Sequence, residues 1–202
     1  VTADEVAVFA RCLGAGGVGL FPADTVYGLA ADAESADGVR RLYEIKRRPP
    51  MPSAVMFLSL ELALAALPLV GPRTRAAFER LLPGPLTLIV SNPQGLFPLA
   101  CGDRSDRLGV RVPALTGALT PLQAVERPLI QSSANLHGGS DARRLADVPA
   151  EVRTAVDVEL DGGDLPGTAS TVVDVSSYED DGTCSILREG AVTRADLERS
   201  LS

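Results

Sequence analysis

The chain has one histidine, one lysine and no tryptophan, and its three cysteines form no C-x-x-C pair. Each shortage excludes a class of chemistry. His137 is the sole imidazole, so a Ser-His-Asp hydrolase would have to use it as its base. Cys12, Cys101 and Cys184 are an odd, widely spaced set; with a single histidine they argue against a zinc site. They fit reduced, buried thiols in a cytoplasmic protein. No Gly-Lys pair exists, which removes the Walker phosphate loop. No apolar run approaches the 18 or so residues of a membrane span. The first residues lack a basic segment leading into an apolar one, so no signal peptide is expected.

What is present is a chain of 202 residues with 46% hydrophobic content, enough for one cored domain over 1–202. Net charge is −7 but unevenly placed. Residues 1–150 carry 15 Lys/Arg against 14 Asp/Glu, and residues 151–202 carry 4 against 12. The acidity therefore belongs to the last quarter. A local positive groove in the first three quarters stays compatible with the composition. A general RNA-binding surface is not indicated.

Lysine is used once in a chain that chooses arginine for 18 of its 19 cations. The two are not equivalent, one a compact charge on a flexible stem and the other a planar fork. Lys46-Arg47-Arg48 closes a predicted helix and runs into Pro49-Pro50. Three cations before a rigid turn form a candidate anion site. Read alone, they are better accounted for by a helix C-terminus that favours cations.

Taken in order, Thr2 to Glu5 form a capping box that opens a helix with Val6, Phe9, Ala10 and Leu13 on one face. Gly14, Gly16 and Gly19 spell G-x-G-x-x-G. They follow a helix and lead into an apolar strand, Val18–Phe21, the reverse of the dinucleotide-binding order. They read instead as a helix stop and a turn. Pro22 to Ala30 read as a strand-end loop, where α/β folds place ligands. Ser35 caps a helix that delivers Lys46. Strands are predicted at Val55–Leu58, Leu86–Ser91, Leu108–Val112, Leu129–Gln131, Val156–Leu160, Thr171–Val175 and Ser185–Arg188. Helices are predicted at 59–67, 72–82, 117–126, in part of 145–155, and after Thr193. Residues 92–106 read as an irregular loop. The irregular alternation predicts an α/β fold, a twisted mixed sheet with flanking helices.

Four polar clusters lie at predicted element ends, each beside Gly or Pro: Asp24 to Gly28, Lys46 to Pro49, Ser132 to Asn135, and Ser170 to Asp174. Arg111 and Arg188 sit at strand ends. Hydroxyls, an amide and cations without a catalytic histidine suit an anion such as a nucleotide phosphate.

Seven motifs in this order resemble the YrdC-like family, the threonylcarbamoyl-AMP synthases of tRNA modification. They are Phe21-Pro-x-Asp-Thr-Val-Tyr-Gly-Leu29, Lys46-x-Arg-Pro49, Pro83-Gly-Pro-Leu-Thr87, Arg111-x-Pro113, Ser133-Ala-Asn135, Ser170-Thr-Val-x-Asp174 and Arg188-x-Gly190. The resemblance spans about Gly16 to Gly190. It implies a twisted α/β sheet with a concave active-site cavity, and a reaction of L-threonine, bicarbonate and ATP to threonylcarbamoyl-AMP and pyrophosphate. Mg²⁺ would be carried by ATP, with no protein metal site. It implies Lys46, Arg48, Ser133, Asn135 and Arg188 for ATP. Arg111, Ser170, Ala23 and Tyr27 fall on the threonine side, and Thr25 joins Lys46 and Arg48 as the catalytic set. Downstream tRNA threonylcarbamoyl-transfer proteins and a weak RNA contact complete the implied partners, with no membrane.

The chain departs from the family pattern at Ala23, where a threonine is usual. It departs again at Pro52-Ser53-Ala54, where Pro-Leu is usual, and at His137-Gly138-Gly139, where Ser-Gly is usual. Two rivals remain. One is a carbamoyl-adenylate former of the hydrogenase-maturation type. The other is a non-catalytic RNA-binding module of the same fold, expected to show salt-dependent RNA affinity.

Overall fold

The computed structural model describes residues 1–201. Its nine strands are β1 (Gly19–Pro22), β2 (Tyr27–Asp32), β3 (Ala54–Met56), β4 (Leu86–Ser91), β5 (Arg107–Arg111), β6 (Leu129–Ser133), β7 (Val158–Glu159), β8 (Thr171–Asp174) and β9 (Ser185–Arg188). They form one mixed sheet in the order β7-β1-β2-β6-β3-β5-β4-β8-β9. The β1/β7, β3/β5 and β4/β8 pairs are parallel and the others antiparallel. The helices are α1 (Ala3–Gly14), α2 (Ala36–Ile45), α3 (Leu60–Ala66), α4 (Pro72–Leu81), α5 (Pro98–Cys101), α6 (Ala150–Arg153), α7 (Tyr178–Asp181) and α8 (Arg194–Leu201).

Local chemistry sets the helix ends. Thr2 and Glu5 form the full capping box of α1. Ser35 caps α2 through Gly38 N and Ser59 caps α3 through Leu62 N. Pro72 sits in the first turn of α4, where its missing N–H is no loss. Gly16 takes a left-handed turn at φ +81° on the way from α1 to β1, so these glycines are a stop and a turn.

The sheet has two different faces. Leu88, Val90, Leu108, Val110, Ile130 and Val173 pack into the larger apolar cluster. Because side chains alternate along a strand, their neighbours face the other way. There Phe21, Ala30, Met56 and Leu129 form a second apolar cluster with Phe9 and Leu13 of α1. The remainder of this face, over β6, β3, β5, β4 and β8, forms the wall of a cavity that Ala100 and Cys101 of α5 also line.

Several expectations change. Tyr27–Asp32 is a strand of six residues, not a loop; all six are buried, and Gly28, Ala30 and Ala31 give it neither alternation nor high strand propensity. β6 runs on to Ser133 because its ladder with β2 continues to the Gly28–Ser133 pair. The segment 117–124 is a 3-10 helix with Pro121 inside, whose missing N–H prevents a regular α-helix. Residues 92–106 contain α5, and α7 was not expected. Cys101 is buried and Cys12 half-buried, but Cys184 is exposed, and the three thiols are unpaired with one another.

Candidate functional site

The cavity encloses about 500 Å³, within the range of small-molecule sites. Its floor is small and apolar, with Ala54, Ile89, Gly109 and Val172. Gly109 lets β5 lie close to β3, since a Cβ there would meet Ala54 Cα at 3.1 Å. Around this floor stand Arg48, Arg104, Arg107, Arg111 and Arg188, with Asp141 as the acidic member of the lining.

Five of the expected site residues line this cavity: Arg48, Arg111, Ser133, Ser170 and Arg188. They come from widely separated segments that the sheet order brings side by side. Arg111 is held in a buried ion pair with Asp24 at 2.6 Å, both side chains 5% exposed. Its Nη2 also donates to Thr25 Oγ1 at 2.6 Å, and its Nη1 donates to Gln131 Oε1 at 3.2 Å. Asp24 in turn accepts from Ala114 N. Ser170 and Thr87 share a buried hydroxyl–hydroxyl bond of 3.0 Å. Arg188 Nη2 donates to the Ser170 carbonyl at 2.8 Å. Arg48 donates to Ser132 Oγ at 3.1 Å, and its guanidinium carbon lies 5.4 Å from the Tyr43 ring centroid.

Lys46 and Arg47 diverge from Arg48. Arg47 takes φ +51° and turns outward to an ion pair with Glu151. Lys46 is 1% exposed and does not line the cavity. Its Nζ donates to the carbonyls of Ser133 and Asn135 and to Asn135 Oδ1, which uses all three ammonium hydrogens. Burial, and after it the charge of Arg48, bring its pKa from 10.5 down to about 8, with Asp141 acting in the opposite sense. Asn135 is also occupied. Its Nδ2 donates to Gly139 O and Asp141 Oδ1, and its Oδ1 accepts from Ser133 Oγ as well as Lys46. Lys46 and Asn135 thus hold the turn whose Ser132 and Ser133 line the cavity.

Three expected threonine-side or catalytic residues stand elsewhere. Thr25 is 1% exposed and reaches the cavity only through Arg111. Ala23 is fully buried in the second apolar cluster, so its missing hydroxyl leaves no gap in the cavity wall. Tyr27 is turned away and anchored: its hydroxyl lies 3.0 Å from Asp161 Oδ1 and 2.9 Å from Gly163 O, and accepts from Gly162 N. Burial, reinforced by Asp161, raises the Tyr27 pKa to about 12. His137 is exposed and lies outside the lining.

Sequence reading missed Gln131, Thr87, Arg107 and Asp141, all in the lining. A signal for Arg107 existed. Arg107, Gly109 and Arg111 alternate with Leu108 and Val110, which puts both arginines on one strand face. Asp141 sits in an irregular segment and had none.

A family model described as telomere recombination, Sua5_yciO_yrdC, matches residues 11–190. The chain is similar to the threonylcarbamoyl-AMP synthase of Pyrococcus abyssi, 29% identical over 181 residues that cover 89% of this chain and 52% of that protein. It therefore spans about half the length of that relative. The Hahella chejuensis threonylcarbamoyl-AMP synthase is 29% identical over 178 residues, covering 88% of this chain and 94% of the relative. The crystal structure of P. abyssi Sua5 complexed with L-threonine superposes with a TM-score of 0.86 at 27% identity, over 99% of this chain and 58% of that one.

Proposed function

This chain belongs to the Sua5/YciO/YrdC family, and on that premise we propose that it makes threonylcarbamoyl-AMP and pyrophosphate from L-threonine, bicarbonate and ATP. The observation that carries this reading is the charge of the cavity wall. Arg48, Arg104, Arg107, Arg111 and Arg188 line it against Asp141, and so many cations around one cavity favour an anionic ligand there.

In this reading Arg111 takes the amino acid's carboxylate beside Ser170. Arg48, Ser133 and Arg188 face the nucleotide, with Lys46 and Asn135 fixing the turn behind Ser133. Thr25 orients Arg111. Threonine's amine adds to bicarbonate with loss of water to give a carbamate. A carbamate oxygen then attacks the α-phosphorus of ATP, and pyrophosphate leaves. The nucleophile is already an anion, so no strong protein base is required. The residues supply position and charge neutralisation. A lining of arginines with Asp141 fits Mg²⁺ arriving on the triphosphate, where it neutralises phosphate charge. A cytoplasmic location, one domain over 1–202 and delivery of the product to tRNA threonylcarbamoyl-transfer proteins extend the same proposal.

The test is pyrophosphate release with each component omitted in turn. Release should require threonine, bicarbonate, Mg²⁺ and ATP together. Equal turnover without threonine overturns the proposal.

A further inference from the structure

Residues 92–106 leave the end of β4 and return to the start of β5. The stem is closed where Asn92 N donates to the Asp106 carbonyl at 2.8 Å. Asn92, 5% exposed, fastens the segment to itself. Its Nδ2 donates to the Leu96 and Ser105 carbonyls, and its Oδ1 accepts from Leu96 N. Joined ends and internal bonds make this a compact Ω-loop. Beyond the stem, one hydrogen bond ties 93–105 to the rest of the described residues, from Ser53 N to the Ala100 carbonyl at 2.9 Å. Two packing contacts add to it. The Phe97 ring meets Phe57 edge-on at 5.8 Å, and Gly102 lies against Pro52, whose Cδ a Cβ would meet at 3.0 Å.

The loop is a partition between two cavities. Ala100, Cys101 and Arg104 line the cavity described above. Pro98, Leu99 and Gly102 line a second one of about 670 Å³, whose other wall is Ala36, Val39 and Tyr43 of α2. The short helix α5 therefore has open space on two sides. Its present position also carries backbone strain. Phe97, at the start of α5, takes φ +51° and ψ +56°, the left-handed region that a bulky residue rarely enters. Gly95 and Gly102, at φ +63° and +58°, flank the helix with the backbone freedom of hinges.

We propose that residues 93–105 are a lid on the cavity. The loop swings as one body on its Asn92–Asp106 stem, into the second cavity to admit the nucleotide and back to close over it, with the Phe97 ring on Phe57 as the latch. The movement is independent of the functional reading above; that ATP is what the lid closes on rests on it.

Cys101 is the reporter, 2% exposed on the inner side of the lid. In the full chain carrying Cys12→Ser and Cys184→Ser, its reaction with a small aromatic disulfide reagent is timed at rising urea below the unfolding transition. A lid predicts labelling at least about tenfold faster than global unfolding and only weakly dependent on urea, the mark of a local opening. Phe97→Ala, which removes the latch, should speed labelling by roughly tenfold, the scale of one lost aromatic pair. Ala36→Trp and Val39→Phe add bulk to the second cavity from the α2 side, and at least one of them should slow labelling without shifting the urea midpoint. Saturating ATP should slow it as well. Labelling that tracks global unfolding in rate and urea dependence overturns the lid. So does labelling that neither cavity-filling variant slows, or that is unchanged by ATP which calorimetry shows to be bound. A chain that binds no ATP overturns the functional reading, while the urea and cavity-filling results still decide the lid.

Discussion

Asn135 accepts twice from the ammonium of Lys46, through its side-chain oxygen at 2.7 Å and its own carbonyl at 2.8 Å. With the Ser133 carbonyl as third acceptor, a buried point charge ties α2 to the end of β6. This explains a lone lysine among arginines more directly than a contact with phosphate. Three acceptors converging on one atom match a tetrahedral ammonium and do not match a planar fork.

Lys46→Met should therefore lower stability as well as activity. Leaving buried acceptors unsatisfied costs about 1–3 kcal/mol for each group that water cannot reach. Lys46→Arg should recover little. Denaturant midpoints and turnover for both variants check this. A Lys46→Met protein of unchanged stability with only ATP affinity reduced would return Lys46 to the phosphates.

The depressed Lys46 pKa gives a pH dependence with a defined sign. The folded value, about 8, lies below the ordinary 10.5. Below pH 8 both states bind the proton, and the cost of burying the charged ammonium in place of the neutral amine is fully present. Between about pH 8 and 10.5 the unfolded chain holds more protons than the folded one, so stability rises with pH. Over the same range the neutral amine keeps two hydrogens for three acceptors, and the turn loosens. Relative to Lys46→Met, the natural chain should gain in denaturant midpoint from pH 7 to 9.5, while its own turnover falls as pH passes 8.

Asp24 balances Arg111 within the fold. Asp24→Ala should destabilise by about 3–5 kcal/mol, because it leaves a buried guanidinium without its counter-charge. Thr25→Val, which removes a single bond to the same guanidinium, should cost about 1.5–3 kcal/mol. Urea unfolding of the two variants should rank them in that order.

Ala23→Thr would restore the residue usual in the family, yet the site it enters is fully buried among Phe21, Leu115 and Leu160. Extra volume in a packed cluster costs about 1–3 kcal/mol. The expected outcome is a lower melting temperature and no gain in threonine affinity; tighter threonine binding in calorimetry would show that position 23 reaches the ligand.

Much was legible in order along the chain. The capping residues Thr2, Ser35 and Thr193 mark their helices, and the polar clusters at element ends named Arg48, Arg111, Ser133, Ser170 and Arg188, which the cavity brings together. Hydrogen-bond chemistry within a few residues is enough for the caps. The motif order supplied what spacing alone could not.

The sequence by itself determined that cations, hydroxyls and an amide would cluster at element ends without a histidine base, because residue types and their neighbours are local facts. Only the tertiary structure decided which of those polar groups face the cavity. Lys46 and Asn135 hold each other, Tyr27 is drawn to the 161–163 loop, and the Gln131 oxygen accepts from Arg111. A hydrogen-bonding side chain is free for a ligand only when nothing in the fold already occupies it, and its occupants here lie 20 to 134 residues away in the sequence.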